Sequence, residues 1–117
     1  MVITETQLAL PWPTEVYRGK VRDVYTVAGE VVVLVATDRI SAFDHVLPRP
    51  IPHKGAVLNQ LAAHFLRATE DVAPNYLLAV PDYNVSVGLL CEPFPIEFVV
   101  RGHLCGHAWR VYREGGR

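Results

Sequence analysis

Hydrophobic and polar residues alternate over residues 21–27, and an almost wholly apolar run follows over residues 31–37. A period of two predicts a strand with one buried face, and an unbroken apolar run of this length predicts a strand that is buried on both faces. The linker between them, Ala28-Gly29-Glu30, is short and contains a glycine. We therefore predict an antiparallel hairpin whose second strand lies near the centre of a sheet.

The rest of the pattern predicts two helices and three more strands. Helices are expected over residues 56–68 and from about residue 106 to residue 113, and the strands over residues 76–80, 85–92 and 96–103, the last two as an antiparallel pair. The first helix should face the core with one apolar stripe, made of Val57, Leu58, Leu61, Ala62, Phe65 and Leu66. The expected core aromatic residues are Tyr25, Phe65, Trp109 and Tyr112.

Length and composition limit the class of protein. A chain of 117 residues corresponds to about one small domain, and a hydrophobic content of 50% is enough for a core without disulfides. A net charge of −1 argues against a general nucleic-acid or membrane-surface binder. Two cysteines make no disulfide framework, and the N-terminus has no signal-peptide pattern, so we expect a cytoplasmic protein.

The stretch from Arg18 to Arg22 combines a glycine with three cationic side chains. Gly19 permits a tight turn and lets an anion approach backbone N–H groups, while Lys20 supplies a mobile point charge. Lys20 and Lys54 are the two lysines among 11 basic residues, and each adjoins a glycine. These features predict a phosphate-binding hairpin loop at Lys20, and a second anion-friendly position at Lys54 before a helix. The alternative is a charged, solvated hairpin edge.

Two other polar stretches follow or end predicted strands. Residues 38–44 contain two carboxylates, an arginine and a serine, and they form either a loop that caps itself or part of a site held by the sheet. Arg101 ends an apolar run, and a cation there needs an internal carboxylate or a bound phosphate as its partner. The chain contains neither a Walker phosphate loop nor a Gly-x-Gly-x-x-Gly motif.

A third pattern, His103, Cys105 and His107, has the residue types of a metal site. In a strand these three side chains would share one face. Three ligands so close together on one extended strand rarely converge on a single ion, and no distant Cys or His pair completes the set. We therefore predict no metal ion bound within this chain, and we keep a small metal-binding domain as an alternative.

Several stretches in matching order and spacing resemble the N-terminal part of the SAICAR synthetase family. Together they cover nearly the whole chain, and their combination is far more specific than any one of them. The stretches are Arg18-Gly19-Lys20-Val21-Arg22-Asp23-Val24-Tyr25, Ala36-Thr37-Asp38-Arg39-Ile40-Ser41-Ala42-Phe43-Asp44, Ile51-Pro52-His53-Lys54-Gly55, Pro95-Ile96-Glu97-Phe98-Val99-Val100-Arg101-Gly102 and Gly106-His107-Ala108-Trp109-Arg110-Val111-Tyr112.

The resemblance implies an ATP-dependent ligase of purine biosynthesis. Such an enzyme joins carboxyaminoimidazole ribonucleotide to L-aspartate and releases ADP and phosphate, with Mg²⁺ as cofactor. The implied fold is α+β, an antiparallel small lobe with a hairpin phosphate loop and two helices, similar to the ATP-binding parts of kinases and ATP-grasp enzymes. The implied partners are the three small-molecule substrates.

The resemblance also implies individual roles. His107 stands where the family commonly has a serine, and an imidazole N–H can donate to the same anion. Arg101 is expected to bind the 5′-phosphate of the ribonucleotide. The implied ATP-binding residues are Arg18, Gly19, Lys20, Val21 and Arg22, the implied substrate-binding residues are Ser41, Asp44, Arg101 and His107, and the implied catalytic residues are Lys20 and Lys54.

Members of this family are considerably longer than this chain. The resemblance therefore implies that residues 1–80 form an ATP-binding small lobe and that residues 81–117 form a strand pair and the start of the substrate-binding part. The Mg²⁺ ligands are expected in a missing C-terminal region, and this piece alone is expected to be a poor catalyst. Apolar area left exposed predicts association, for example as a homo-oligomer. A non-catalytic nucleotide- or phosphate-binding module is the other alternative.

Overall fold

The computed structural model describes residues 1–116, and within them nine helices and strands follow one another. Arg117, the end of the predicted C-terminal loop, lies outside the described residues. The elements are β1 (Thr14–Arg18), β2 (Arg22–Val27), β3 (Val31–Ala36), β4 (Ser41–Ala42), β5 (His45–Val46), α1 (Lys54–Ala68), β6 (Leu77–Asp82), β7 (Val85–Leu89) and α2 (Gly106–Arg113).

Five strands form one antiparallel sheet in the order β1-β2-β3-β7-β6, while β4 and β5 form a separate small hairpin. This architecture confirms the predicted α+β class. β2 and β3 form the predicted hairpin, with Val27 paired to Val31, and β3 lies centrally between β2 and β7. Alternate residues of β2, namely Asp23, Tyr25 and Val27, are buried, as the period of two predicts.

The N-terminal segment covers one face of the sheet. The backbone N–H and hydroxyl of Thr6 both donate to the Asp23 carboxylate, and the Thr6 hydroxyl is 2.7 Å from the hydroxyl of Tyr25. Ile3 and Asp38 are joined by two hydrogen bonds, one in each direction. No regular element is formed before Thr14, so side-chain hydrogen bonds fix the path of this segment.

Helix α1 covers the opposite face of the sheet and confirms the helix expected over residues 56–68, although it begins two residues earlier. Gly55 allows the close approach, because a Cβ there would collide with the carbonyl oxygen of Ala36 and lie 2.7 Å from Nδ2 of Asn84. Further along the helix, buried Asn59 accepts a hydrogen bond of 2.7 Å from Ser86 of β7 and donates one of 2.9 Å to the carbonyl of Tyr83.

The side of α1 that packs on the sheet is not the predicted one. Its buried residues are Gly55, Asn59 and Ala63, and none of them belongs to the predicted apolar stripe. Within the stripe, Ala62 lines a small cavity against the sheet and Leu66 is half-buried, while the larger side chains are mostly exposed. Leu61 and Phe65 are 50% and 62% exposed. The prediction of a stripe facing this core was wrong, because the close contact selects small residues and an amide that satisfies polar groups of the sheet.

Two strand predictions also change. β1 was not predicted, since its largely exposed sequence at the sheet edge lacks a clear alternation. The expected pair over residues 85–92 and 96–103 was wrong: β7 pairs with β3 and β6, and no strand forms at residues 96–103 within the part of the chain described. The strand expected at residues 76–80 is present as β6, which extends past residue 80. The next strand, β7, takes the sheet to Leu89.

The second helix forms where it was predicted, as α2, but it packs on no other element among residues 1–116. Trp109 and Tyr112 contact each other with ring centroids 6.0 Å apart, yet they are 43% and 62% exposed. The prediction that these two residues and Phe65 are core aromatics was wrong, while Tyr25 is buried as predicted. In residues 1–116 no helix has the length and apolar character needed to cross a membrane.

The turn between β2 and β3 yields a test of backbone strain. Ala28 adopts a left-handed φ of 52°, a region that costs a residue with a Cβ about 1–2 kcal/mol. Ala28→Gly should raise the free energy of unfolding by about 0.5 kcal/mol, because the relief exceeds the added entropy of the unfolded chain. In the matched control Ala62→Gly, inside α1, the free energy should fall by about 1 kcal/mol. Urea unfolding followed by circular dichroism measures both, and a loss at Ala28 equal to that at Ala62 would contradict the strain.

Asp38 yields a test of pH dependence. Its carboxylate is almost fully buried and accepts the backbone N–H groups of Ile3 and Gly55, each at 2.9 Å. Burial acts to raise its pKa, but backbone hydrogen bonds from Ile3, Gly55 and His53 outweigh burial and lower the pKa below its usual value. The resulting stabilisation is complete above the unfolded-state pKa of about 3.9 and is lost as the pH falls through the lower folded-state value.

Asp38→Asn should therefore lower the free energy of unfolding at pH 7 by about 1–3 kcal/mol, since the amide presents an NH₂ group where a carboxylate accepted hydrogen bonds. The difference between the two proteins should be constant from pH 7 to pH 5 and shrink as the solution is made more acidic than pH 4. Urea titrations across this range measure it. A difference that grows toward low pH would show that the carboxylate is not stabilised by folding.

Candidate functional site

The stretch predicted to bind phosphate forms the tip of the β1–β2 hairpin. Arg18 pairs with Asp23 at the last step of the ladder, and the N–H of Gly19 donates to the carbonyl of Arg22 at 2.7 Å. Lys20 and Val21 are thereby left at the tip, with Lys20 exposed. The sequence predicted the loop but not the strand that leads into it.

A buried carboxylate lies at the base of this tip. Asp23 is fully buried and accepts hydrogen bonds from Nη1 of Arg18 at 2.9 Å, from Nη2 of Arg39 at 3.0 Å and from Thr6. Burial acts to raise the pKa of Asp23, but the bonds from Thr6 and Arg39 and the charge of Arg39 lower it overall. Asp23 is therefore ionised at neutral pH, and one predicted ATP-binding residue, Arg18, is engaged by it.

Arg39 approaches the same tip from inside the fold. Its side chain is 15% exposed, and it donates to the carbonyl of Gly19 at 3.0 Å, to that of Lys20 at 3.2 Å and to that of Thr4. The carbonyl of the next residue, Val21, accepts from the N–H and the hydroxyl of Thr37 at 3.0 and 2.7 Å. Three successive carbonyl groups of the tip thus accept hydrogen bonds from residues of the fold beneath it, two from Arg39 and one from Thr37.

Lys20 forms an ion pair with Asp44. Asp44 lies in the turn of the β4–β5 hairpin, where it and Phe43 both have a left-handed backbone. The hydrogen bond and the charge of Lys20 lower the pKa of the Asp44 carboxyl. Both side chains are more than half exposed, so the pair is weak and each partner is free to exchange it for a ligand. Ser41 lies at the start of the same hairpin and is half-buried.

The other predicted nucleotide residues are placed less closely. Arg22 is exposed and lines a small cavity with Leu34 and Ala62 on the face covered by α1. Lys54 is the first residue of α1 and is half-buried. Within residues 1–116 no carboxylate lies within salt-bridge distance of Lys54, and the N-cap residue of this helix start, His53, makes no side-chain cap hydrogen bond.

Arg101 and His107 form a second group at the start of α2. A Cβ on Gly106 would lie 3.3 Å from Nη1 of Arg101, so the guanidinium group lies beside the first turn of this helix. The N-cap, Cys105, makes no side-chain cap hydrogen bond. A cation beside uncapped N–H groups suits an anion bound between them. In the described part of the chain, no hydrogen bond or ion pair links this group to the β1–β2 tip.

The metal alternative finds no supporting geometry in residues 1–116. There, no group of three or more His, Cys, Asp and Glu side chains is placed to hold a metal ion. Residues 103–107 run from a bend into α2 rather than along one strand, which is why His103, Cys105 and His107 do not share a face. Both cysteines are free and exposed.

Sequence reasoning missed the residues that support the tip, chiefly Asp23, Arg39 and Thr6. One signal was available: Asp23 falls on the apolar face of a predicted strand, and a carboxylate there requires buried partners. Nothing in the sequence identified the partners. A separate apolar cavity of about 490 Å³, lined by Leu10 and Trp12 among others, includes none of the predicted site residues.

Comparison with known proteins agrees with the resemblance. The family model of SAICAR synthetase matches residues 15–117. Phosphoribosylaminoimidazole-succinocarboxamide synthase of Bacteroides fragilis is 60% identical over 115 residues, which are 98% of this chain and 37% of the relative. The protein of the same name from Legionella pneumophila (strain Paris) is 45% identical over 116 residues, covering 96% of this chain and 36% of the relative. The chain thus spans little more than a third of the length of these curated relatives.

Solved structures show the same fold. SAICAR synthase from Saccharomyces cerevisiae, complexed with SAICAR, matches 98% of this chain and 46% of its own with a TM-score of 0.85 and 31% identity. A type-2 SAICAR synthetase in complex with ADP matches 69% of this chain and 35% of its own chain with a TM-score of 0.63. At 22% identity this match shows similarity of fold only. Because the family model covers nearly the whole chain, from β1 to its last residue, this chain belongs to the SAICAR synthetase family.

Proposed function

We propose that the protein containing this chain is an ATP-dependent ligase that joins carboxyaminoimidazole ribonucleotide to L-aspartate and releases ADP and phosphate. Family membership supports the reaction class. The yeast relative, 31% identical, was solved in complex with SAICAR, the product of this joining. The observation that carries the proposal is the ion pair between Lys20 and Asp44, which joins a predicted phosphate-binding residue to a predicted substrate-binding residue.

In the proposed reaction a carboxylate oxygen of the imidazole attacks the terminal phosphoryl group of ATP, and ADP leaves. The aspartate amine then attacks the acyl phosphate, loses a proton and displaces inorganic phosphate. Both steps gather negative charge on phosphoryl oxygens, which fixed cations and N–H groups stabilise. The exposure of its ammonium group, which can leave Asp44 for a phosphate, supports this role for Lys20.

The substrate part of the proposal uses the two other groups. Asp44 and Ser41, on the β4–β5 hairpin, would contact the ribonucleotide once Lys20 turns to ATP. Arg101, with His107 and the uncapped start of α2, would hold the 5′-phosphate. We assign Lys54 a charge-neutralising role at the start of α1. We assign Arg18 and Arg22 a contribution to the positive electrostatic potential around the ATP phosphates.

Mg²⁺ supplies charge neutralisation to ATP when it is bound. The residues present do not fit a site for it, because within residues 1–116 no three metal-ligating side chains converge. We therefore place the Mg²⁺ ligands outside this chain.

We also propose a cytoplasmic location, residues 1–80 as the ATP-binding part, and residues 81–117 as the start of the substrate-binding part. Self-association is proposed from the exposed apolar residues of α1 and α2.

Removal of the Lys20 ammonium group tests the nucleotide assignment. Lys20→Ala should raise the Kd of this chain for Mg·ATP about 10-fold to 100-fold, as expected for the loss of one charge-assisted hydrogen bond. Arg67→Ala, on the exposed side of the last turn of α1, is the control for lost positive charge. Isothermal titration calorimetry measures both affinities, and equal effects of the two substitutions would contradict a phosphate loop at Lys20.

Asp44→Asn separates the ion pair from the ligand contact. This substitution breaks the pair with Lys20 but keeps the ammonium group, so it should leave ATP affinity unchanged or raise it slightly.

The non-catalytic binding module is tested in an unsubstituted full-length family member that carries this chain. Saturable Mg·ATP binding combined with no aspartate-dependent ADP release would favour that module over the ligase.

Removal of the Arg101 guanidinium group tests the substrate assignment. In such a full-length protein, Arg101→Ala should raise the KM for the ribonucleotide about 10-fold to 100-fold, because a charged phosphate contact is lost. The KM for aspartate should change far less. Arg113→Ala, in the last turn of the same helix, is the matched control. Steady-state kinetics with each substrate varied in turn measures the effect, and a larger change for aspartate would refute the phosphate role.

A further inference from the structure

We propose that Arg39 is a positioning residue that holds the peptide groups of the β1–β2 tip so that the N–H groups of Lys20 and Val21 point toward the bound phosphate. The inference rests on the proposed function, because it presumes that the tip binds the phosphates of a nucleotide. It assigns Arg39 no direct contact with the ligand.

The contacts of Arg39 all lie on the protein side of the tip. One guanidinium group donates to the carbonyl oxygens of Gly19 and Lys20 and also to a carboxylate oxygen of Asp23, at 3.0, 3.2 and 3.0 Å. A further bond, to the carbonyl of Thr4, uses Nη1. The side chain is 15% exposed, so it is fixed under the tip rather than available in solution.

Peptide geometry converts this inward contact into an outward one. In a planar trans peptide the C=O and N–H bonds point in opposite directions, and no cis peptide is present in residues 1–116. The carbonyl of Gly19 shares its peptide plane with the N–H of Lys20, and the carbonyl of Lys20 shares its plane with the N–H of Val21. Because Arg39 holds both carbonyl oxygens inward, both N–H groups are directed away from the fold.

These two N–H groups are free to bind a ligand. Neither of them donates to any acceptor within residues 1–116. Successive outward N–H groups in a turn form a concave anion site. A cation bonded to the carbonyl end of each peptide also polarises it and strengthens donation at the other end. Geometry and polarisation therefore both favour an anion at the tip.

The shape of the guanidinium group is essential to this role. Its planar fork reaches carbonyl oxygens in two consecutive peptides and a carboxylate at the same time, whereas an ammonium group is a single point charge. Arg39→Lys thus keeps the charge near Asp23 but gives up the simultaneous hold on Gly19 and Lys20. A role that depends on charge alone would survive this substitution.

The test is a titration of this chain with Mg·ATP by calorimetry. Arg39→Lys should raise the Kd about tenfold, which corresponds to the loss of about one hydrogen bond of binding free energy. The matched control is Thr6→Val, which removes a hydroxyl bond to Asp23 but touches neither tip carbonyl. It should lower stability with an unchanged Kd, and thermal unfolding of each variant checks the fold. A wild-type Kd for Arg39→Lys would overturn the proposal.

A double-mutant cycle with Lys20→Ala separates two ways in which Arg39 acts. If Arg39 works through the backbone N–H groups, the factors of Arg39→Lys and Lys20→Ala should multiply. If Arg39 merely places the Lys20 side chain, its substitution should have no effect in the Lys20→Ala background, and that result would refute the proposal.

A measurement on the unaltered chain completes the test and does not depend on whether a variant folds. In ¹⁵N-resolved NMR spectra, the amide protons of Lys20 and Val21 should move to lower field as Mg·ATP is added, because they gain a charged acceptor. Saturable binding without these shifts would overturn the role of Arg39 and leave the nucleotide site in place. Absence of any Mg·ATP binding by the folded chain would overturn both the proposed nucleotide site and this inference.

Discussion

The rest of this structure depends on one buried carboxylate, Asp23. A charge that is removed from water is tolerated only when its lone pairs are satisfied. Here Arg18, Arg39 and Thr6 satisfy them. These partners come from β1, from the segment after β3 and from the N-terminus, so a single charge ties the neighbouring strand to two segments that lie farther away in sequence.

Asp38 performs a similar task one strand away. It accepts the N–H of Ile3 and that of Gly55, and so it binds the N-terminal segment and the start of α1 to the end of β3. The helix start has no side-chain cap of its own, so this remote carboxylate takes the place of one. Both buried acids therefore act on the backbone around the candidate site, and the exposed groups Lys20, Asp44 and Arg101 remain available for ligands.

Much apolar surface remains outside the core. The stripe of α1, the residues between β7 and α2, and the aromatic pair of α2 are largely exposed. Such exposed apolar area is the observation from which self-association is proposed, and the chain spans little more than a third of the length of its curated relatives. The helical period correctly predicted α1. It did not indicate which side of the helix packs on the sheet.

The sequence by itself determined the β2–β3 hairpin, both helices and the glycine-lysine tip, because these follow from local periodicity and turn chemistry. Tertiary structure decided which side of α1 packs on the sheet, which strands β7 pairs with, and which cationic side chains bind the Asp23 carboxylate. Those outcomes depend on contacts between residues far apart in the chain, such as Arg39 with Gly19 or Ile3 with Asp38. Such contacts are absent from any local window, so the arrangement of the candidate site emerged only in the fold.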